Sequence, residues 1–91
     1  EKKMGMKLMS EDAKYLTIYL DKKEEKPTLE ECQKFVGGYI EIVKSLDRKK
    51  QIIVDEEGLL KSKPINKDAS KEAGIPIVGD VMILSGRARL N

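Results

Sequence analysis

Histidine is absent from this chain of 91 residues, and cysteine occurs once, as Cys32. Histidine is the commonest general base and transition-metal ligand in proteins, so its absence removes the usual route to acid–base catalysis and to such metal sites. A lone cysteine can form neither an intramolecular disulfide nor a cysteine-pair zinc site. We therefore expect no catalytic residue, no bound metal and no cofactor.

Long hydrophobic runs are also absent, and none approaches the ~20 residues that a membrane-spanning helix needs. Hydrophobic residues make up 40% of the chain and charged residues 37%, and the apolar residues recur in short periodic segments. This pattern predicts one soluble domain over residues 14–86, with a flexible N-terminal arm (1–13) and a C-terminal tail (87–91). A cytoplasmic location is expected for such a chain.

A strong excess of either charge is lacking too, since the formal net charge is +2. Residues 1–50 contain 12 basic and 10 acidic side chains, whereas residues 51–91 contain six of each. Nucleic-acid-binding domains usually concentrate lysine and arginine on one face or stripe. The small excess along the chain does not by itself predict nucleic-acid binding.

Local patterns predict six regular elements. Alternating bulky residues predict a first strand at Tyr15–Leu20. Thr28 and Glu31 form a capping box that begins a helix, and Gly37–Gly38 ends it. The remaining elements are expected to be a hairpin of Tyr39–Val43 and Gln51–Val54, a short helix capped by Asn66 and ending at Gly74, and a last strand at Val81–Leu84.

This order of elements, β-α-β-β-α-β, predicts a small α+β domain folded as a two-layer sandwich. A ferredoxin-like arrangement is the first expectation, and an incomplete barrel is the alternative. At the turns, we expect positive φ at Gly58 and at one or both of Gly37 and Gly38. Cys32 is expected to be a small buried side chain. One shared core is expected to contain Leu16, Ile18, Leu29, Phe35, Val36, Ile40, Ile42, Ile52, Val54, Val81 and Ile83.

Strand alternation indicates a candidate binding surface. If the aliphatic residues of the first strand face the helices, Tyr15 and Tyr19 point to the opposite side of the sheet, and alternation in the second strand places Tyr39 there as well. Tyrosines on a sheet face can stack bases. The third strand lacks the basic-glycine-aromatic pattern of such modules, so burial beneath residues 59–74 or in a dimer contact is the simpler interpretation.

Two charged turns are further candidates. Arg48, Lys49 and Lys50 follow Asp47 in the predicted hairpin loop, where they can contact phosphate or an acidic partner, although charges in such a loop commonly serve only solvation. Residues 55–58 (DEEG) place three carboxylates at the exit of a strand. They lack the spacing of a calcium loop, so we interpret them as a solvated acidic turn.

Four segments of the second half have a distinctive order and spacing. They are Gly37–Glu41 (GGYIE), Ile53–Lys61 (IVDEEGLLK), Pro64 with Asn66, and Val78–Leu84 (VGDVMIL). Together they resemble a family of small domains, domain of unknown function 3846, found mostly in bacteriophages, mobile elements and some large DNA viruses. The resemblance covers residues 35–84 and implies a phage or viral protein acting in the host-cell cytoplasm. It brings no known catalytic or binding residues.

The sequence therefore predicts a non-enzymatic domain that binds a host or viral protein. A module that sequesters a nucleotide or another small ligand is one alternative, and a weak single-stranded nucleic-acid binder is another. A homodimer is compatible with the sequence, and a membrane partner is not expected. The candidate binding residues are Tyr15, Tyr19, Tyr39, Arg48, Lys49 and Lys50.

Overall fold

The computed structural model describes residues 15–90, and the arm predicted over residues 1–13 lies outside this part of the chain. Two short 3₁₀ turns follow the first and last strands, at Lys23–Glu25 and Gly86–Ala88. Within residues 15–90, no helix is long and apolar enough to cross a membrane. The main elements are strand β1 (Thr17–Leu20), helix α1 (Leu29–Val36), strands β2 (Ile40–Lys44) and β3 (Gln51–Asp55), helix α2 (Lys67–Ala73) and strand β4 (Val81–Leu84).

Local sequence signals set the ends of both helices, as predicted. The Thr28 hydroxyl accepts the Glu31 amide at 3.0 Å, and the Glu31 carboxylate accepts the Thr28 amide at 2.8 Å. Gly37 ends α1 in the left-handed conformation, with a φ of 88°. Asn66 caps α2 by accepting the Ala69 amide at 3.0 Å. These contacts satisfy backbone groups that have no partner inside the helix.

The four strands form one open mixed sheet in the order β1-β4-β3-β2. β1 runs parallel to β4, whereas β4 with β3 and β3 with β2 are antiparallel pairs. The predicted α+β class and element order are confirmed. The lateral order differs from the ferredoxin-like one, in which one strand separates β1 from β2, because here both β4 and β3 lie between them.

The two helices lie on opposite faces of the sheet, so the domain has three layers and two cores. β3 and β4 are buried on both sides, which explains the apolar runs Ile52–Val54 and Val81–Leu84 within them. The expectation of one shared core in two layers is thereby corrected. The α1 core contains Cys32, Val36, Ile53, Met82 and Leu84. The α2 core contains Ile52, Val54, Ala69, Ala73, Ile77, Val81 and Ile83.

Most of the expected core residues are buried or half-buried, but three are exposed. Leu16 is 62% exposed, Leu29 57% and Ile42 44%. Leu16 precedes β1 at the end of the sheet, Leu29 begins α1, and Ile42 lies in β2, which has a neighbouring strand on one side only. Phe35 is half-buried and packs against the α1 core.

Glycine is required at two of the predicted turns for different reasons. Gly37 has positive φ, as expected. The expectation of positive φ at Gly58 is wrong. Gly58 is buried, and a Cβ there would lie 2.8 Å from Cγ2 of Val78 and 3.3 Å from the Asp55 carbonyl oxygen. Close packing, and not backbone conformation, therefore excludes a side chain at this position.

The C-terminal residues pack on the domain. Ala88 is fully buried, and Leu90 packs against the α1 core. Gln51 of β3 holds this segment, because its side-chain amide donates to the Leu90 carbonyl at 2.7 Å and its side-chain oxygen accepts the Leu90 amide at 2.6 Å. The packed chain therefore continues to Leu90, beyond residue 87, where the tail was expected to begin.

A buried carboxylate joins β3 to the end of α1. Asp55 is 6% exposed, and its Oδ2 lies 2.8 Å from Nζ of both Lys61 and Lys63. Lys61 also donates to the Gly37 carbonyl at 3.0 Å. Lys63 donates in the same way to the Val36 carbonyl, in the last turn of α1. The turn that we interpreted as solvated therefore begins with an ion pair inside the domain.

The environment of Asp55 favours its charged form. Burial by itself raises the pKa of this carboxyl, but hydrogen bonds from Lys61, Lys63 and the Glu57 amide outweigh that effect. The pKa of Asp55 is therefore held well below its usual range. The two ammonium groups also lie at the C-terminus of α1, where cations are favoured by the helix dipole.

A second buried polar residue joins β1, α2 and the turn before β4. Asn66 is fully buried, and its Nδ2 donates to Thr17 Oγ1 at 2.9 Å and to the Gly79 carbonyl at 3.0 Å. The backbone N–H of Asn66 donates to the Ile77 carbonyl at 2.8 Å, and the backbone N–H of Gly79 donates to the Pro64 carbonyl at 2.8 Å. The Pro-x-Asn and Val-Gly-Asp segments therefore pair with each other, and their polar groups are satisfied.

Shortening a central side chain on either face of the sheet should destabilise the domain. Ile52→Val and Ile53→Val each remove one carbon from a fully buried site, on opposite faces, so each should lower the free energy of unfolding by about 0.5–1.5 kcal/mol. Ile42→Val, at an exposed position in β2, is the matched control and should have a smaller effect. Urea unfolding followed by circular dichroism measures all three variants, and a tolerated change at either central position would contradict the two-core arrangement.

The Asp55 ion pairs should make the stability sensitive to acid. Because the folded-state pKa lies below the usual 3.8, the contribution of Asp55 is complete above that value and is lost progressively as the pH falls below it. Asp55→Asn should lower the free energy of unfolding at neutral pH by about 2–4 kcal/mol, since two partly buried lysines lose their counter-charge. It should also reduce the further loss of stability at about pH 3.

Urea titrations at neutral pH and at about pH 3 measure both effects. Glu56→Gln, at the exposed neighbouring carboxylate, is the control and should leave the unfolding free energy close to that of the unmodified protein. If Asp55→Asn lost as much stability on acidification as the unmodified protein does, the role of these ion pairs would be refuted.

Candidate functional site

The structure places the three tyrosines on one side of the sheet but not on one surface. Tyr15 and Tyr19 belong to the β1 edge, and Tyr39 precedes β2 at the opposite edge, with α2 packed over β3 and β4 between them. Tyr19 and Tyr39 are 58% and 72% exposed. Tyr15 is half-buried, and its hydroxyl accepts the Lys67 amide at 3.4 Å. The tyrosines therefore form no continuous platform for stacking.

Tyr19 and Lys50 are brought close to each other beside α2. Lys50 pairs with Glu72 through Nζ–O distances of 3.1 and 3.3 Å, and this hydrogen bond and charge raise the pKa of Lys50. Partial burial, and then the carboxylates of Asp68 and Glu72, raise the pKa of the Tyr19 phenol. Lys50 is therefore compensated within the domain and is a poor candidate for binding an external anion.

Arg48 and Lys49 lie in the hairpin loop, whose shape is set by Asp47. The Asp47 carboxylate accepts the Ser45 hydroxyl at 2.6 Å and the Lys49 amide at 2.9 Å, and these hydrogen bonds lower its pKa. Arg48 has a φ of 62°, which lets the chain reverse within the loop. Both basic side chains are exposed, so they are accessible to a partner at this end of the domain.

The outer edge of β2 has no partner strand among residues 15–90. On its inner side, the Ser45 amide donates to the Lys50 carbonyl, and the Glu56 amide donates to the Tyr39 carbonyl. Hydrogen-bonded residues alternate along an antiparallel pair of strands. The backbone N–H and C=O groups of the odd-numbered residues of β2 therefore point toward β3. The backbone groups that point away from the sheet are those of Ile40, Ile42 and Lys44.

An apolar groove of about 180 Å³ lies beside this edge, on the α2 side of the sheet. Leu59 and Ile75 line it from two loops and are 75% and 52% exposed. Both side chains leave apolar surface open to solvent next to a free strand edge. The other apolar lining residues are Val43, Val54, Pro76, Ile77 and Val78.

The rim of the groove is acidic. Glu41 of β2 and Glu56 after β3 line it, and neither forms an ion pair within the described part of the chain. Tyr39 precedes Glu41 by two residues and is exposed at the end of the strand. The groove therefore suits a side chain with an apolar stem and a cationic tip, such as lysine or arginine.

The described chain lacks the arrangements expected of a metal or thiol site. Residues 15–90 hold no group of three or more His, Cys, Asp or Glu side chains that could bind a metal ion. Cys32 is buried, and its burial, followed by the charge of Glu31, raises the pKa of the thiol and disfavours the reactive thiolate. Asp55, the most perturbed carboxyl, is held by its two lysines.

Sequence reasoning did not find the groove. Its exposed residues lie in irregular loops, where periodicity gives no information. The available signal was that Leu59 and Ile75 directly follow Gly58 and Gly74, outside any predicted helix or strand, so no periodic pattern assigned them to a core.

Comparison with protein families gives a match over nearly the whole chain. The family model described as a domain of unknown function (DUF3846) matches residues 8–89. No curated protein and no solved structure matches the chain. The matched range includes the segments that form the Asp55 and Asn66 contacts and the β2 edge. The chain therefore belongs to the DUF3846 family of domains of unknown function.

Proposed function

We propose that this domain binds another protein by accepting an extended segment as an additional strand beside β2. The observation that supports the proposal is the row of outward-facing backbone groups at Ile40, Ile42 and Lys44. An added strand satisfies these groups and continues the sheet, which is a recurring mode of peptide recognition. The domain acts in this proposal by binding, and not by catalysis.

The adjacent groove selects the side chains of the bound segment. Alternate residues of an added strand face the α2 side, where they meet the apolar surface of Leu59 and Ile75. The carboxylates of Glu41 and Glu56 favour lysine or arginine there, since the stem of such a residue covers the apolar floor and its charge meets the rim. Tyr39 adds an aromatic contact with little entropic cost.

Charge favours a different protein over a second copy of this chain. If two copies paired through antiparallel β2 strands centred on Ile42, the two Glu41 side chains would lie diagonally across from each other, and the acidic rims would approach. Like charges at this spacing oppose association. A basic segment of a host or viral protein in the host-cell cytoplasm meets no such repulsion, and this is the partner class that we propose.

The two alternative functions have less support at the groove and the tyrosines. Small-molecule sites usually have volumes of roughly 300–1,000 Å³, whereas the groove has about 180 Å³. Stacking of bases on the tyrosines needs neighbouring rings, but α2 lies between Tyr19 and Tyr39. Strand addition needs only the edge and the groove that are present.

Selection from a random peptide library displayed on phage tests the proposal. The immobilised protein should enrich peptides in which apolar and basic residues alternate. Ile42→Pro should weaken their binding by roughly tenfold or more, because it removes an outward-facing amide and leaves the hydrogen bonds between β2 and β3 in place. Fluorescence anisotropy of a labelled peptide measures the affinity, and circular dichroism verifies the fold of the variant.

Two further variants form a matched pair. Leu59→Ala should weaken binding, whereas Leu60→Ala should not, because Leu60 is 84% exposed and does not line the groove. Hydrogen exchange of the Ile40, Ile42 and Lys44 amides should slow when peptide binds. Selected peptides that bind Ile42→Pro as tightly as the unmodified protein would contradict strand addition, and the absence of any enriched peptide would contradict peptide binding altogether.

A further inference from the structure

A basic cleft lies at the end of the sheet where β1 and β4 finish. It has a volume of about 380 Å³. Among residues 15–90, it is lined by four cationic side chains and by no carboxylate, and it shares no residue with the groove beside β2. The lining residues are Lys23, Lys26, Gly86, Arg87 and Arg89.

Backbone hydrogen bonds hold together the two turns that form the cleft. The Ser85 amide donates to the Leu20 carbonyl at 2.9 Å, and the Arg87 amide donates to the Asp21 carbonyl at 3.3 Å. Gly86 allows the two turns to approach each other. It has a φ of +54°, and a Cβ there would lie 3.0 Å from the backbone carbonyl oxygen of Asp21. The cations are therefore attached to a folded scaffold.

Two of the acidic side chains near the cleft are held by backbone amides. Asp21 and Glu24 belong to the same turn as Lys23 but do not line the cleft. The Glu25 carboxylate accepts the amides of Lys22 and Asp21, each at 3.2 Å, and these hydrogen bonds lower its pKa. The Glu31 carboxylate accepts the Thr28 amide in the capping box. Among residues 15–90, the cations of the cleft form no ion pair. An anion from outside this part of the chain would therefore relieve their mutual repulsion.

Strand register brings a third basic loop to the same end of the domain. Leu20 is paired with Leu84, Leu84 with Gln51, and Gln51 with Lys44, so these four residues form a row across the sheet. Three loops leave this row, and together they contain eight basic and four acidic side chains; one of the basic side chains, Lys50, is paired with Glu72. The loops are residues 21–26, 45–50 and 85–90. The fold thus gathers a positive excess that is spread out along the sequence.

We propose that this cleft binds the phosphodiester backbone of single-stranded nucleic acid. Arginine forms paired hydrogen bonds with phosphate oxygens, and Arg87 and Arg89 stand beside two lysines. The open cleft of about 380 Å³ leaves room for a phosphate and its sugar, and the flexible backbone of a single strand can follow the basic loops at this end of the sheet. Arg48 and Lys49, at the same end, are placed to meet neighbouring phosphates.

The residues that line the cleft also determine whether the base sequence of a bound strand is recognised. No aromatic side chain lines it, so bases have no stacking surface there. Contacts to phosphate position a strand but carry no sequence information. Binding at this site is therefore independent of base sequence and strongly dependent on salt.

Fluorescence anisotropy with a labelled single-stranded DNA of mixed sequence tests the inference. The unmodified protein should bind at about 50 mM salt and lose affinity steeply by about 200 mM, because phosphate contacts release counterions. The double variant Lys23→Gln/Arg87→Gln removes two cations whose side chains form no hydrogen bond or ion pair with other described residues. It should weaken binding about tenfold or more and lower the slope of log affinity against log salt by about 1.4.

A matched double variant, Lys34→Gln/Lys67→Gln, removes the same charge from exposed positions on α1 and α2 outside the cleft. It should leave the salt slope nearly unchanged, and circular dichroism verifies the fold of both variants. Equal losses in the two double variants would overturn the assignment of the cleft, as would the absence of DNA binding at low salt. Binding of polyglutamate as tightly as DNA would overturn phosphate recognition, and tighter binding of a duplex of equal length would overturn the single-stranded assignment.

Discussion

The arrangement of β3, the loop after it and the end of α1 depends on the contact between Asp55 and the two lysines that follow it. The carboxylate ends β3, and Lys61 and Lys63 reach back from the next loop to the last carbonyls of α1. One buried charge therefore fixes a central strand, a loop and a helix end together. Loss of Asp55 leaves both lysines without their counter-charge, and loss of both lysines leaves a buried carboxylate unpaired, which is costly in a small domain. The same loop carries Leu59 to the groove beside β2.

The elements could be predicted from the sequence because their signals act over a few residues. The Thr28 capping box and the Asn66 cap each fix a helix start through a hydrogen bond to a residue three positions along. The layering depends instead on contacts between distant segments. One local signal did indicate the layering. Ile52–Val54 and Val81–Leu84 are continuous apolar runs, and such runs are typical of strands buried on both faces. Treating them as alternating strands predicted one core where there are two.

The candidate surfaces were harder to predict for a related reason. Alternation indicates the side of the sheet on which a tyrosine lies, but no local pattern shows that α2 separates Tyr19 from Tyr39. Charge totals are summed along the chain, whereas a partner meets charges in space. The pairing of Leu20 with Leu84, and of Leu84 with Gln51, decides which loops share an end of the sheet. Once this register is known, the small positive excess of the chain is seen to be concentrated at one end of the sheet.

The distribution of compensated and uncompensated charges bears on both of the proposed binding surfaces. Asp55 has two lysines, Lys50 has Glu72, and Glu25 accepts two backbone amides. By contrast, the carboxylates at the rim of the groove and the cations of the cleft form no ion pairs within residues 15–90. Uncompensated charge lowers the stability of a compact domain that has little to spare. Ligands of opposite sign would remove this cost at both places, and the two partners that we propose, a basic protein segment and an anionic strand, have the required charges.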